Sequence, residues 1–334
     1  MNIIETQNLR KTYRRYQKQE GLKGSIKGLF KREYEEKDAV SDFNLTIREG
    51  EFLGLIGPNG AGKTTLIKML TGIIAPTFGS VEVMGFYPNK LEDRMKQQYA
   101  VVMGQKSQLF FDLTAEDTLI LYKEIYEIDD DTFRQTKEYF VDLFEVGGLM
   151  NVQVRTLSLG ERMKMELMTA LLHNPRILFL DEPTIGLDAI AIKQIRGFLK
   201  KVNKERGTTI LLTSHYMEDI KMLCDRCVVV NHGRKIYDGG TERLFAMYQL
   251  NKRITVSFAE ETPVAVPKSC RVLEQTGFKL VLETAREEAG EVLQYLIGNY
   301  SPADLAIEEE EIGNVVERIY QAKEEQDEEI SGNL

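Results

Sequence analysis

The chain has 334 residues, 43 % apolar and 28 % charged, enough for one large α/β domain and a smaller companion. No window approaches the roughly 18–20 uninterrupted apolar residues that cross a bilayer. The opening MNIIETQNLRK lacks the apolar stretch of a secretory signal, so a cytoplasmic protein is expected. The net charge of −9 resides at the C-terminal end, where residues 304–334 hold eleven acidic and two basic side chains. The neutral remainder has no dominant basic face, which argues against a nucleic-acid partner.

About the first 250 residues alternate strand-like and helix-like segments, as an α/β layered domain does. Phe43, Leu45 and Ile47 alternate with Asn44, Thr46 and Arg48, predicting a half-buried strand. Glu49-Gly50 turns the chain, and residues 51–56 read as a buried strand entering a glycine-rich loop and a helix over 64–73. Residues 112–172 read as mainly helical. Residues 177–180 and 209–213 are short apolar strands. Ile192, Ile195, Leu199 and Val202 mark a helical face between them, and Gly207 ends that helix. Residues 228–230 and 235–237 form a hairpin across His232-Gly233. Beyond residue 250 the pattern changes to strands over 253–258, 279–282 and 304–307, with a helix over 287–298 and a last helix from near Glu311. Residues 251–334 are therefore expected to form a small α+β domain with an acidic tail.

Gly57-Pro58-Asn59-Gly60-Ala61-Gly62-Lys63-Thr64, followed by Thr65, fits the phosphate-binding pattern G-x-x-x-x-G-K-[ST]. Its glycines let backbone N–H groups approach phosphate oxygens at the positive end of the next helix. Lys63 would reach the β- and γ-phosphates, and the Thr64 hydroxyl would ligate Mg²⁺. A glycine turn capping a helix is the plainer reading, but the strand–loop–helix context is the one the motif requires. Residues 177–182 form an apolar strand ending in two carboxylates. Asp181 would hold the Mg²⁺ shell and Glu182 would polarise the attacking water. Alone, the pair reads equally well as an exposed acidic turn.

Leu157-Ser158-Leu159-Gly160-Glu161 narrows this further. Here the chain resembles the ABC ATPase family, whose signature is usually Leu-Ser-Gly-Gly-Gln before the acidic strand. Gln105 stands at the Q-loop position, Gly186-Leu187-Asp188 matches the D-loop, and His215 matches the switch histidine. The resemblance spans about residues 3–245. It implies a P-loop cassette over residues 1–250: a RecA-like core with an antiparallel β subdomain, and a helical subdomain within 105–172. It also implies ATP hydrolysis with Mg²⁺ and head-to-tail dimerisation. A homodimer is sufficient, and a heterodimer stays open. Ser158, Gly160, Glu161 and Asp188 of one copy would then meet ATP on the phosphate loop of the other. His215 would contact the γ-phosphate, while Gln105 would touch Mg²⁺ and sense a membrane permease. Tyr13 matches the family's adenine-stacking aromatic, with Tyr16 as a competitor and strand-end packing as the plainer role.

The signature also has a purely local meaning, since Ser158-x-x-Glu161 fits a capping box. Leu159 and Glu161 depart from the family's glycine and glutamine, one stiffening the backbone and the other adding negative charge near ATP. Residues 14–37 form a basic insertion containing Leu22, Ile26, Leu29 and Phe30. It reads as a solvated excursion or as an amphipathic element touching anionic lipid or the permease. With the stretch Gly104 to Leu109, it resembles the ABC-2-type exporter branch, which implies a peripheral protein on the inner face of the cell membrane. Cys224-x-x-Cys227 lacks the four ligands of a zinc site and is expected in the core. Two other classes compete: a soluble ABC ATPase on ribosomes or DNA, which would have paired cassettes or long coiled coils, and a phosphoryl-transfer kinase, which would leave Ser158–Glu161 and His215 unexplained.

Overall fold

The computed structural model describes residues 1–16, 34–104, 107–214, 217–248 and 250–309. In chain order, β1 (Asn2–Tyr16) and β2 (Tyr34–Arg48) are followed by β3 (Phe52–Ile56), α1 (Lys63–Leu70), β4 (Phe78–Val83), α2 (Asp93–Lys96) and β5 (Tyr99–Met103). Three helices come next, α3 (Ala115–Ile125), α4 (Asp130–Phe144) and α5 (Leu159–Leu171). The chain returns to the core through β6 (Ile177–Asp181), α6 (Ala189–Arg206), β7 (Thr209–Thr213), α7 (Met217–Leu223), β8 (Arg226–Asn231) and β9 (Arg234–Gly240).

Two sheets share one core. β2, β1 and β4 form an antiparallel sheet, in which Phe43, Leu45 and Ile47 of β2 point inward as their alternation requires. The second sheet has six strands in the order β5-β6-β7-β3-β8-β9, parallel from β5 through β8. All five residues of β3 and of β7 are buried, which is why these strands read as unbroken apolar runs. Ile4, Phe43, Leu53, Ile67, Phe179 and Val228 belong to a single buried cluster spanning both sheets and α1.

The helices start and stop where the side chains dictate. Thr114 and Asp117 cap α3 reciprocally, Asp129 caps α4, and Gly207 ends α6 at φ 67°. Phe144 of α4 stacks on Phe198 of α6 at 3.8 Å between centroids, fixing the helical region to the core layer.

The chain divides into two compact units between Gly239 and Gly240. The second contains α8 (Thr241–Tyr248), β10 (Asn251–Ser257), β11 (Arg271–Gln275), β12 (Lys279–Ala285), α9 (Ala289–Asn299) and β13 (Asp304–Glu309). Its antiparallel sheet has the order β11-β12-β10-β13. Val292 and Leu296 of α9 pack on Ile254, Val256, Leu280 and Leu282. β11 carries no strand signal in the sequence, because all five of its residues are exposed and no alternation marks them. Both flanks of the basic insertion extend the first sheet, with Arg14 opposite Glu36 and ion-paired to it at 2.8 Å. Its middle, including Leu22, Ile26, Leu29 and Phe30, lies outside the described residues, as does the helix expected from Glu311.

Candidate active site

The phosphate loop joins the buried centre of the parallel sheet to α1. Gly57 has no room for a side chain: a Cβ there would stand 2.5 Å from the carbonyl oxygen of Val230 on the neighbouring β8. Gly62, at φ 109°, is the N-cap of α1, and a Cβ there would meet the Ala39 carbonyl at 2.2 Å. β2 thus presses on the loop from one side, and the Gly233 N–H holds the Ala61 carbonyl at 2.9 Å from another. No side chain caps α1, so its first N–H groups face the loop. Lys63, only 5 % exposed, donates its ammonium to the carbonyls of Gly57 (2.6 Å) and Pro58 (3.1 Å). Burial pulls its pKa below the usual lysine range, and the carboxylates of Glu182 and Asp181 pull it back up.

Asp181 ends β6 as the most accessible residue of that strand. Its carboxylate accepts from the Thr64 hydroxyl of α1 at 2.8 Å and from the Thr213 hydroxyl of β7 at 2.7 Å. Glu182 follows at φ 57°, a left-handed conformation costing on the order of 1 kcal/mol in a residue with a Cβ. Its N–H donates to the carbonyl and hydroxyl oxygens of Thr213, each at 3.1 Å, and these bonds hold the turn. Gly104 crosses so close that a Cβ would lie 2.3 Å from the Glu182 carbonyl oxygen.

The signature builds a second constellation. Ser158 caps α5: its hydroxyl accepts from the Glu161 N–H at 3.3 Å, while its own N–H and hydroxyl donate to the Glu161 carboxylate, each at 2.8 Å. These two donors hold the Glu161 carboxyl below its usual range. Gly160 lets α5 approach α6, since a Cβ there would sit 2.9 Å from Ala191 Cβ. Asp188 caps α6 through the N–H groups of Ile190 and Ala191, both at 2.9 Å. Leu159 is partly exposed and leans toward Gly186, where a Cβ would come within 3.2 Å of its Cδ2.

A hub behind both sets escaped the sequence reading. Asp219 of α7 is fully buried and accepts from the Thr184 hydroxyl, the Ser214 hydroxyl and Arg196 Nε, each at 2.6 Å. It thereby ties the stretch after Glu182, the end of β7 and α6 to one carboxylate. The only hint of this role in the sequence is that Asp219 lies four residues after His215.

The ABC transporter family profile matches residues 40–185 of this chain. The ABC transporter ATP-binding protein NatA of Bacillus subtilis (strain 168) is 35 % identical over 207 residues, covering 62 % of this chain and 84 % of NatA. The chain belongs to the family of ABC transporter ATP-binding proteins. Nod factor export ATP-binding protein I of Rhizobium johnstonii (strain DSM 114642 / LMG 32736 / 3841) is 35 % identical, covering 62 % of this chain and 66 % of that protein. The bacitracin transport ATP-binding protein BcrA of Bacillus licheniformis is 34 % identical, covering 60 % and 64 %. Among solved structures, a dimeric ATP-binding cassette bound to ADP and Pi matches with a TM-score of 0.58 and 25 % identity, over 71 % of this chain and 98 % of that one. The fold is the ABC cassette expected from the signature, and this ABC protein is an ATPase.

Within the cassette, the phosphate loop, Thr64, Asp181 and Glu182 come together around the ends of β3 and β6, with Thr65 beside them in the first turn of α1. Ser158, Gly160 and Glu161 come together with the first turn of α6 and its cap Asp188. Tyr13 is 43 % exposed near the end of β1, with Lys11 Nζ 5.4 Å from its ring centroid. Gln105 and His215 lie outside the described residues. Thr213, Gly104 and Asp219 are the additions made by the structure. Cys224 and Cys227 are buried, and a Cβ at Gly54 would lie 3.2 Å from the Cys224 sulfur. No helix among the described residues is long and apolar enough to cross a membrane.

Proposed function

We propose that this protein is the ATP-binding and ATP-hydrolysing subunit of an exporter, acting as a head-to-tail dimer on a separate membrane permease. The observation that carries this reading is the cluster of Thr64, Asp181 and Thr213 beside the buried Lys63 and the strained Glu182. Thr64 and Asp181 offer hard oxygen donors within 2.8 Å of each other, which fits a magnesium ion and its water shell. Bound there with ATP, magnesium supplies neutralisation of phosphate charge. The residues of the chain do the rest. The N–H groups at the start of α1 donate to phosphate oxygens, the Lys63 ammonium exchanges its loop carbonyls for them, and Glu182 orients water and accepts its proton. By resemblance, His215 meets the γ-phosphate and Gln105 the magnesium, while Tyr13 stacks on adenine.

Dimerisation is supported by the second constellation, in which the exposed Ser158 and the Asp188 cap mark two helix N-termini laid side by side. Such ends favour a phosphate brought by another copy. A permease contact is supported by exposed apolar side chains just after the Q-loop position: Phe110, Phe111, Leu113, Ile120 and Ile125. Export is supported by relatives named for Nod factor export and bacitracin transport. In Glu182→Gln, ATP binding should persist while turnover falls about 10²–10³-fold and closed dimers accumulate. Turnover near that of the unaltered protein would remove Glu182 from its role.

A further inference from the structure

Glu166, on the inward face of α5, is 5 % exposed. A glutamate is rarely buried unless its oxygens are satisfied. They are satisfied by one short segment of chain. The Glu166 carboxylate accepts from the Ser107 hydroxyl and from the Gln108 N–H at 2.9 and 3.1 Å, with the Leu109 N–H at 3.4 Å. Burial pushes its carboxyl up, against the pull of these donors.

The same segment is bound to the signature stretch at other points. Arg162, one turn before Glu166, lies 5.8 Å from the Phe111 ring centroid. The N–H groups of Val154 and Arg155 donate to the carbonyls of Leu113 (3.0 Å) and Phe111 (3.1 Å). Residues 107–113 are thus laced along residues 154–166. Gln108 also reaches the other way, its side-chain amide donating to the Val101 carbonyl on the edge strand β5. A generic loop cap would need no charge, because desolvating a carboxylate costs several kcal/mol that its partners only offset. What the carboxyl adds is a pair of oxygens that take three donors from one segment, the Ser107 hydroxyl and the Gln108 and Leu109 N–H groups, and so hold it in one register.

We infer that Glu166 is a positioning residue, fixing the segment after the Q-loop position to the signature helix so that a displacement of one moves the other. Ser158 lies eight residues earlier on the same rod, roughly 12 Å away along its axis. A partner pressing on Phe110 and Phe111 would therefore move the signature that faces ATP on the neighbouring copy. This inference rests on the dimeric reading of Ser158 given above.

The experiment starts from Glu182→Gln and follows MgATP-driven dimerisation by light scattering. Dimers must form in that parent, and their absence would overturn the dimeric reading together with this inference. Adding Glu166→Ala should weaken dimerisation on the order of tenfold. MgATP affinity of the monomer should stay within about twofold, because the phosphate loop is untouched. Amide exchange at Gln108 and Leu109 should accelerate, and Glu166→Gln, which keeps one acceptor oxygen, should restore part of both effects. If Glu166→Ala does not fold, Ser107→Ala serves instead, since it deletes only one hydroxyl donor. Undiminished dimerisation despite lost protection at Gln108 and Leu109 would overturn the inference. So would weakened dimerisation with that protection intact.

Discussion

At the scale of single residues, the active site stores its constraints in a few atoms. Glu182 keeps an unfavourable φ because two oxygens of Thr213 hold its N–H and because Gly104 leaves space for its carbonyl. Glu161 acts on the other constellation. Its carboxylate takes both the N–H and the hydroxyl proton of Ser158, the donors that a γ-phosphate from a neighbouring copy would require. In the proposed dimer, that phosphate would have to displace a carboxylate of its own charge sign. Glu161→Gln should bring roughly two- to fivefold more dimer at matched MgATP, the size of a largely exposed charge effect of about 0.5–1 kcal/mol. Equal dimer fractions for both proteins would show that the carboxylate does not compete. The capping box itself was legible from Ser158 and Glu161 because both partners lie within one helical turn. Its competition with phosphate emerged only from the hydroxyl's actual acceptor.

At the scale of elements, α3 and α5 are joined to the edge strand β5 twice, once through Gln108 and once through His173. The His173 ring stacks on Tyr126, at the C-terminal end of α3, with centroids 3.9 Å apart, and its Nε2 donates to the Tyr99 carbonyl of β5 at 3.2 Å. Burial lowers its pKa from 6.5 to about 4, so the folded ring stays neutral while the unfolded chain takes up a proton near 6.5. Stability from this group is complete above about 6.5 and falls as the pH drops toward 4, by at most about 1.4 kcal/mol per unit. His173→Phe keeps the stacking and removes the titration. The loss of urea stability between pH 7 and pH 5 should shrink in that variant, and an unchanged loss would assign the acid sensitivity to other groups. His173 carried no sequence signal, because it lies in a link between elements and its partners come from two distant ones. Glu166 did leave a trace: it falls three residues after Met163 and four before Ala170, on the apolar face of α5, where a charge is out of place.

At the scale of the whole molecule, two units with separate hydrophobic cores make two melting events the natural expectation. Calorimetry should resolve a larger transition that MgATP raises and a smaller one that it leaves in place, since the phosphate loop lies in the first unit. At a ligand concentration about 100 times its Kd, the stabilisation is about 2.7 kcal/mol. A single transition moved as one by MgATP would mean that the two units unfold together.

The phosphate loop, the acidic strand, the signature and the family they imply could be read from contiguous residues, because phosphate chemistry demands fixed residue types at short spacing. The alternation of buried strands and amphipathic helices gave an α/β layered domain, and the cassette fold was implied only by the resemblance that the signature carries. What tertiary structure alone decided is which distant groups meet. Thr184 and Asp219 stand 35 residues apart, and Ser107 and Glu166 stand 59 apart. Neither pairing is encoded locally, since each arises where strand order and helix packing bring separate segments within hydrogen-bond reach. The glycine at 57 has the same origin, for its lack of a side chain is imposed by the carbonyl of Val230 on a strand formed far later in the chain.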